Sequence, residues 1–120
     1  MMKIVEGMSK DEILEKITNG ITIAGNAKNI GKEAIMYANG GEFDKARIAY
    51  GEAIELFLKV HDSHFDFIQL EAKGMPVDLS LLLIHMEDHL MATSSFLDTI
   101  QDQISLVERV AHLEKLVLNK

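Results

Sequence analysis

The sequence predicts an all-α fold, an antiparallel up-down-up bundle of three long amphipathic helices. Three observations carry this expectation. Apolar and small residues recur at three- and four-residue spacing along most of the chain, the period of a helix with one buried face. Proline occurs once in 120 residues, at Pro76, which suits uninterrupted helices and not a turn-rich β fold. Two glycine-bearing stops, Asn39-Gly40-Gly41 and Lys73-Gly74, cut the pattern into three.

The first helix opens on Ser9-Lys10-Asp11-Glu12, a capping box in which Ser9 accepts from a backbone N–H three residues on and Glu12 reaches back. Its apolar face reads Leu14, Ile17, Ile21, Ala24, Ala27, Ile30, Ala34, Ile35 and Ala38. Gly20, Gly25 and Gly31 interrupt that face, each costing about 1 kcal/mol relative to Ala. They either break the helix near Gly20 or Gly25 or let a neighbour approach closely, and the second reading is preferred. The next helix spans about Phe43 to Lys73. Its buried stripe is Ala46, Ala49, Ala53, Leu56, Phe57, Val60, His64, Phe67 and Ile68, with His61 nearby.

Asp78 is a candidate cap for the third helix, which continues to about Leu118. One stripe carries Leu82, Met86, Leu90, Leu97, Ile100, Ile104, Val107 and Ala111. A second, offset stripe carries Leu106, Val110, Leu113 and Val117. Together with the run Leu81-Leu82-Leu83-Ile84, this is more apolar surface than two partner helices can cover. Self-association is the simplest account. Connections of about four to six residues favour antiparallel neighbours. Gly41-Glu42-Phe43-Asp44-Lys45-Ala46, with Tyr50 and Ala53, resembles half of a tetratricopeptide repeat. Only one copy is present, and such arrays need about three, so it reads as convergent helix-pair packing.

Composition narrows the function. The formal charge is −7, from 19 acidic and 12 basic residues, with no Lys/Arg cluster. Phosphate backbones and anionic lipid are therefore poor partners, and no nucleic-acid role is expected. Cysteine is absent, which excludes disulfides, thiolate metal sites and a cysteine nucleophile in this chain. The start, Met1 to Gly7, has no apolar leader core, and Leu81 to Ile84 is far short of a membrane span. A cytoplasmic protein without direct membrane insertion is expected.

The densest chemistry is His85-Met86-Glu87-Asp88-His89. On a helix, His85, Asp88 and His89 share a face while Glu87 points to one side. Three readings of this cluster compete. It can be a solvated polar face. It can chelate a divalent ion, since His and Asp at these spacings suit zinc and similar metals. Or an imidazole nitrogen can act as nucleophile, oriented by the carboxylate or the second ring. Periodicity does not separate the three.

The stretch Ser80-Leu81-Leu82-Leu83-Ile84-His85-Met86-Glu87-Asp88-His89-Leu90-Met91 resembles the signature of enzyme IIA in the lactose/cellobiose (and N,N'-diacetylchitobiose) branch of the sugar phosphotransferase system. That signature reads Ser-Leu-Leu, two residues, then His-x-Gln-Asp-His-Leu-Met. Ala24-Gly25-Asn26-Ala27-Lys28, Glu33-Ala34-Ile35, Gly41-Glu42-Phe43-Asp44-Lys45-Ala46, Glu71-Ala72-Lys73-Gly74 and His61 agree with it as well. The resemblance covers roughly residues 10 to 108, within one domain spanning 1–120.

The resemblance implies a cytoplasmic homotrimer of three-helix subunits that works as a phosphotransferase-system component. His85 would accept a phosphoryl group from the phosphohistidine of HPr and pass it to a cysteine of the sugar-specific IIB component. Asp88 would gather at the threefold axis, where three copies bind one divalent cation, magnesium. His89 would support the site. Two departures from the family pattern bear on it: the signature Gln is Glu87 here, and a Gln-Thr pair upstream is His64-Phe65. A carboxylate beside a phosphohistidine adds repulsion and accepts where an amide can donate. Glu87 is thus a candidate modulator of His85. The alternatives are a non-catalytic trimeric paralogue serving as a regulatory or binding module, and a monomeric tetratricopeptide-like interaction domain.

Overall fold

The computed structural model describes residues 7–75 and 77–119. Helix α1 spans Lys10–Asn39, α2 Phe43–Ala72 and α3 Leu81–Leu118. The capping box at the start of α1 is present in full: the Glu12 backbone N–H donates to Ser9 Oγ, and the Glu12 carboxylate accepts from the Ser9 N–H. Gly41 and Gly74 take up φ values of +81°, the left-handed conformation that glycine adopts at little cost, just beyond the ends of α1 and α2.

Pairs of contacts fix the helix directions. Arg47 meets Glu108 and His64 meets Glu87, so positions rise along α2 as they fall along α3. Those two helices are antiparallel. Gly20 lies against Met86 and Gly31 against Leu97, so α1 and α3 run the same way. The bundle is therefore up-down-up, as the sequence predicts.

Helices α1 and α2 meet through alanines: Ala24, Ala27, Ala34 and Ala38 on one, Ala46, Ala49 and Ala53 on the other, all buried. Bulk comes from α3, whose Met86, Leu90, Leu97, Ile100 and Ile104 are essentially inaccessible. Each contributes on the order of 1.5–3 kcal/mol by leaving water. A smaller apolar cluster of Ile17, Phe67, Leu70, Leu83 and Met86 closes the end of the bundle where α3 begins.

The glycines of α1 separate into two kinds. A Cβ on Gly20 would stand 2.8 Å from Met86 Sδ, and one on Gly31 would stand 3.0 Å from a Leu97 methyl. Both permit close approach of α3. Around Gly25 nothing lies within 4 Å, so close packing does not explain it, and the helix passes through it unbroken.

Several expectations need correction. Leu14, Ile68 and Leu82 are exposed, because each sits at the edge of its stripe and the partner helix lies on the other side of that edge. Leu83 takes the buried position expected for Leu82. Ser80, not Asp78, caps α3, its Oγ accepting from the Leu83 N–H at 3.1 Å. The second stripe of α3, Leu106, Val110, Leu113 and Val117, is exposed throughout, in keeping with the expectation that two partner helices do not cover it. Among the described residues, no helix is long and apolar enough to cross a membrane.

Candidate functional site

The site begins with the cap. Ser80 starts α3 in register so that Leu83, Met86 and Leu90 turn inward, Met86 into the space left by Gly20. With 3.6 residues per turn, that anchoring turns positions 85 and 88 outward. His85 and Asp88 are exposed and His89 is half-buried. One face of a core-anchored turn thus carries two imidazoles and a carboxylate, the juxtaposition the sequence predicts.

His85 and His89 lie together. Their ring centroids are 4.5 Å apart and their planes are inclined at 83°, an edge-to-face contact of the kind aromatic rings favour. His85 touches His89 yet stays exposed, and an exposed imidazole is a competent nucleophile.

Asp88 stands apart from any ligand set within the chain. Among the described residues, no group of three or more His, Asp or Glu side chains is placed to hold a metal ion. Asp88 presents a single exposed carboxylate.

Glu87 is not beside His85. Two positions along a helix separate side chains by about 200°, and Glu87 turns instead toward α2. There its carboxylate pairs with Nδ1 of His64, both groups being partly withdrawn from water. The two departures from the family signature, on different helices, are in contact. Sequence reasoning missed this because the register between two helices is not written in either one. The one available signal was that both positions depart from the same pattern.

Beside this pair lies an open groove of about 580 Å³ between the end of α2 and the start of α3. Phe67, Leu83 and Ile84 supply apolar walls, while Glu71, Asp78 and Glu87 supply carboxylates. His61 continues a ladder of rings along α2, 6.0 Å from Phe57 and 6.2 Å from His64. His112 lies at the opposite end of the molecule, near Arg109 and Leu113.

Comparison with known proteins gives the family and the fold. Residues 12–108 match the sequence model of the family described as PTS system, Lactose/Cellobiose specific IIA subunit. The PTS system cellobiose-specific EIIA component of Lactococcus lactis is 30% identical over 109 residues, 91% of this chain and 94% of that protein. The lichenan-specific phosphotransferase enzyme IIA component of Bacillus subtilis is 33% identical over 101 residues, 83% of this chain and 92% of that one. The crystal structure of the PTS cellobiose-specific enzyme IIA from Bacillus anthracis superposes with a TM-score of 0.79 at 30% identity, covering 88% of this chain and 94% of that chain. The match takes in all three helices and the whole His85–His89 turn, and the chain belongs to the lactose/cellobiose-specific IIA family of the PTS system.

Proposed function

We propose that this chain is a phosphocarrier of sugar uptake, and that His85 carries the phosphoryl group. The observation that supports this most is the His85–His89 contact on an outward face whose opposite side is locked in the core. A ring nitrogen of His85 attacks the phosphorus of phospho-HPr. The new N–P bond forms as the donor's N–P bond breaks, and the donor imidazole leaves with its electron pair restored. In the second transfer a cysteine thiolate of the IIB component attacks the same phosphorus, forming S–P as the His85 N–P bond breaks. Transfer of this kind depends on positioning and charge stabilisation more than on covalent machinery. The absence of cysteine from this chain is consistent with a thiol acceptor on another protein.

The working unit is a cytoplasmic homotrimer. The exposed Asp88 and the apolar side chains near it, Ile84 and Met91, favour a buried contact between copies. Three axial carboxylates repel unless neutralised, and a divalent cation, magnesium, would be held by Asp88 of each copy. That ion would be structural; the transfer steps belong to the imidazole. Replacing Asp88 with Leu should preserve or raise trimer stability while abolishing its dependence on divalent ions, since packed apolar groups often do better than buried charges.

The test is incubation with phosphorylated HPr followed by intact-mass analysis and addition of IIB. One phosphoryl group per chain, lost in acid and retained in base, is expected, with the group then passing to IIB. A chain that takes no phosphate from any phosphorylated HPr would favour a non-catalytic trimeric paralogue. The observation on that side is the altered pair, His64 and Glu87, beside the site.

A further inference from the structure

The His64–Glu87 pair joins two helices one turn from the His85–His89 contact. Its side chains retain only 17% and 29% of their exposure, and the Nδ1 atom itself is buried. A buried ring nitrogen needs a polar partner, and a half-buried carboxylate needs a compensating donor. The Glu87 carboxylate is in ion-pair contact with that nitrogen, without an aligned hydrogen bond. The groove beside them sharpens the requirement. Glu71, Asp78 and Glu87 all line it, and among its described lining residues His64 is the one basic side chain. Without His64, three carboxylates would share that groove with no basic side chain among its described lining, at the end of the molecule where the phosphoryl group arrives on the carrier reading.

We infer that His64 is a positioning residue for the His85 site: it holds Glu87 against α2, compensated, so that the incoming phosphoryl group does not meet a free carboxylate. This rests on the carrier reading above. It also changes the expectation for Glu87→Gln. A carboxylate that merely repels phosphate predicts a faster variant, and one that orients His85 predicts a slower one. A carboxylate already held away and compensated predicts little change. The sensitive substitution is on the other helix, at His64.

The experiment is a double-mutant cycle in the full-length protein with His64→Gln, Glu87→Gln and the double variant. Three quantities are read: the rate of phosphoryl acceptance from phospho-HPr, the lifetime of the phosphorylated product, and the thermal midpoint. His64→Gln should slow acceptance by about three- to tenfold, the scale expected from one uncompensated, partly screened charge. Glu87→Gln alone should stay within about twofold of the parent, and the double variant should recover to the same range, because removing Glu87 removes what His64 was needed for. A double variant as slow as His64→Gln would overturn the inference, since His64 would then act by itself. So would a His64→Gln variant that lowers the thermal midpoint yet accepts phosphate at the parental rate, the mark of a purely structural clamp. If the parent protein itself accepts no phosphate, the carrier reading falls and takes this inference with it. An active parent without coupling removes the inference alone.

Discussion

Helix α3 is two different helices joined end to end. From Leu83 to Ile104 it buries a residue at nearly every turn: Leu83, Met86, Leu90, Thr93, Leu97, Ile100 and Ile104. Beyond Ile104 no residue is fully buried, although Val107 still packs partly against the core and Leu106, Val110, Leu113 and Val117 continue an apolar stripe at helical spacing. The cause is geometric. Arg47 pairs with Glu108 and α2 begins only one turn further on, at Phe43, so the residues of α3 from about Leu113 onward have no neighbouring helix left to pack on. The first part is held by the fold and can therefore present His85, Asp88 and His89 on a fixed outer face. The second part carries an apolar stripe that is not buried, and among the described residues nothing covers it. Burial reports what the subunit needs to fold; apolar exposure at regular spacing reports what it needs to associate.

The largest effect expected from this contrast is in the first part. Leu90→Ala should cost about 2–5 kcal/mol of subunit stability, because Leu90 is fully enclosed and its removal leaves a cavity as well as lost transfer energy. Chemical denaturation showing a loss under about 1 kcal/mol would mean that the α3 core is looser than its burial suggests. Next comes the cap that sets the register of the site turn. Ser80→Ala removes the acceptor for the Leu83 N–H and should cost about 1 kcal/mol. It should also broaden the orientation of the His85 ring, read as loss of the resolved His85 ring resonances in NMR spectra.

The second part should behave in the opposite way. Leu113→Ser should change subunit stability by less than about 0.5 kcal/mol, as exposed positions do. It should nevertheless lower the thermal midpoint at high protein concentration, where the parent is associated, more than at low, where neither protein is, because association stabilises by mass action. A midpoint shift independent of concentration would remove the association role from this stripe.

The smallest effect is electrostatic and marks the boundary between the two parts. Arg47 donates two hydrogen bonds to the Glu108 carboxylate, at 2.6 and 3.3 Å, and these hold its pKa below the ordinary value of 4.5. A carboxyl whose folded value is depressed contributes stability that is fully present above the unfolded value. That contribution fades as pH falls through the lower folded value. Both side chains are exposed, so the contribution is small and screened by salt. Arg47→Gln should lower stability slightly at neutral pH, where the contribution is fully present, and flatten the fall in stability below pH 4.5.

Much of this was legible in the sequence. Helix ends follow from local chemistry, and the Ser9–Glu12 box and the Gly41 and Gly74 stops lie where the residues put them. The third helix was harder to start, because Asp78 and Ser80 are both good caps and the run Leu79, Leu81, Leu82, Leu83, Ile84 is apolar on every side. Only the packed structure decides which leucine turns inward. Two buried polar groups, Asp66 and Thr93, were also unforeseen, since polar residues give periodicity no reason to place them inside. For the site, same-helix relations were readable and cross-helix relations were not. His85, Asp88 and His89 share a face by spacing alone, whereas the His64–Glu87 pair depends on how far α2 is displaced along α3.

The most direct test of the central claim is to locate the phosphoryl group. The protein is labelled from phospho-HPr, digested under alkaline conditions that preserve phosphohistidine, and the modified residue identified by fragmentation. All of the label is expected on His85, with none incorporated by His85→Ala and some retained by His89→Ala. Label on His61, His64 or His112, together with undiminished labelling of His85→Ala, would contradict the assignment.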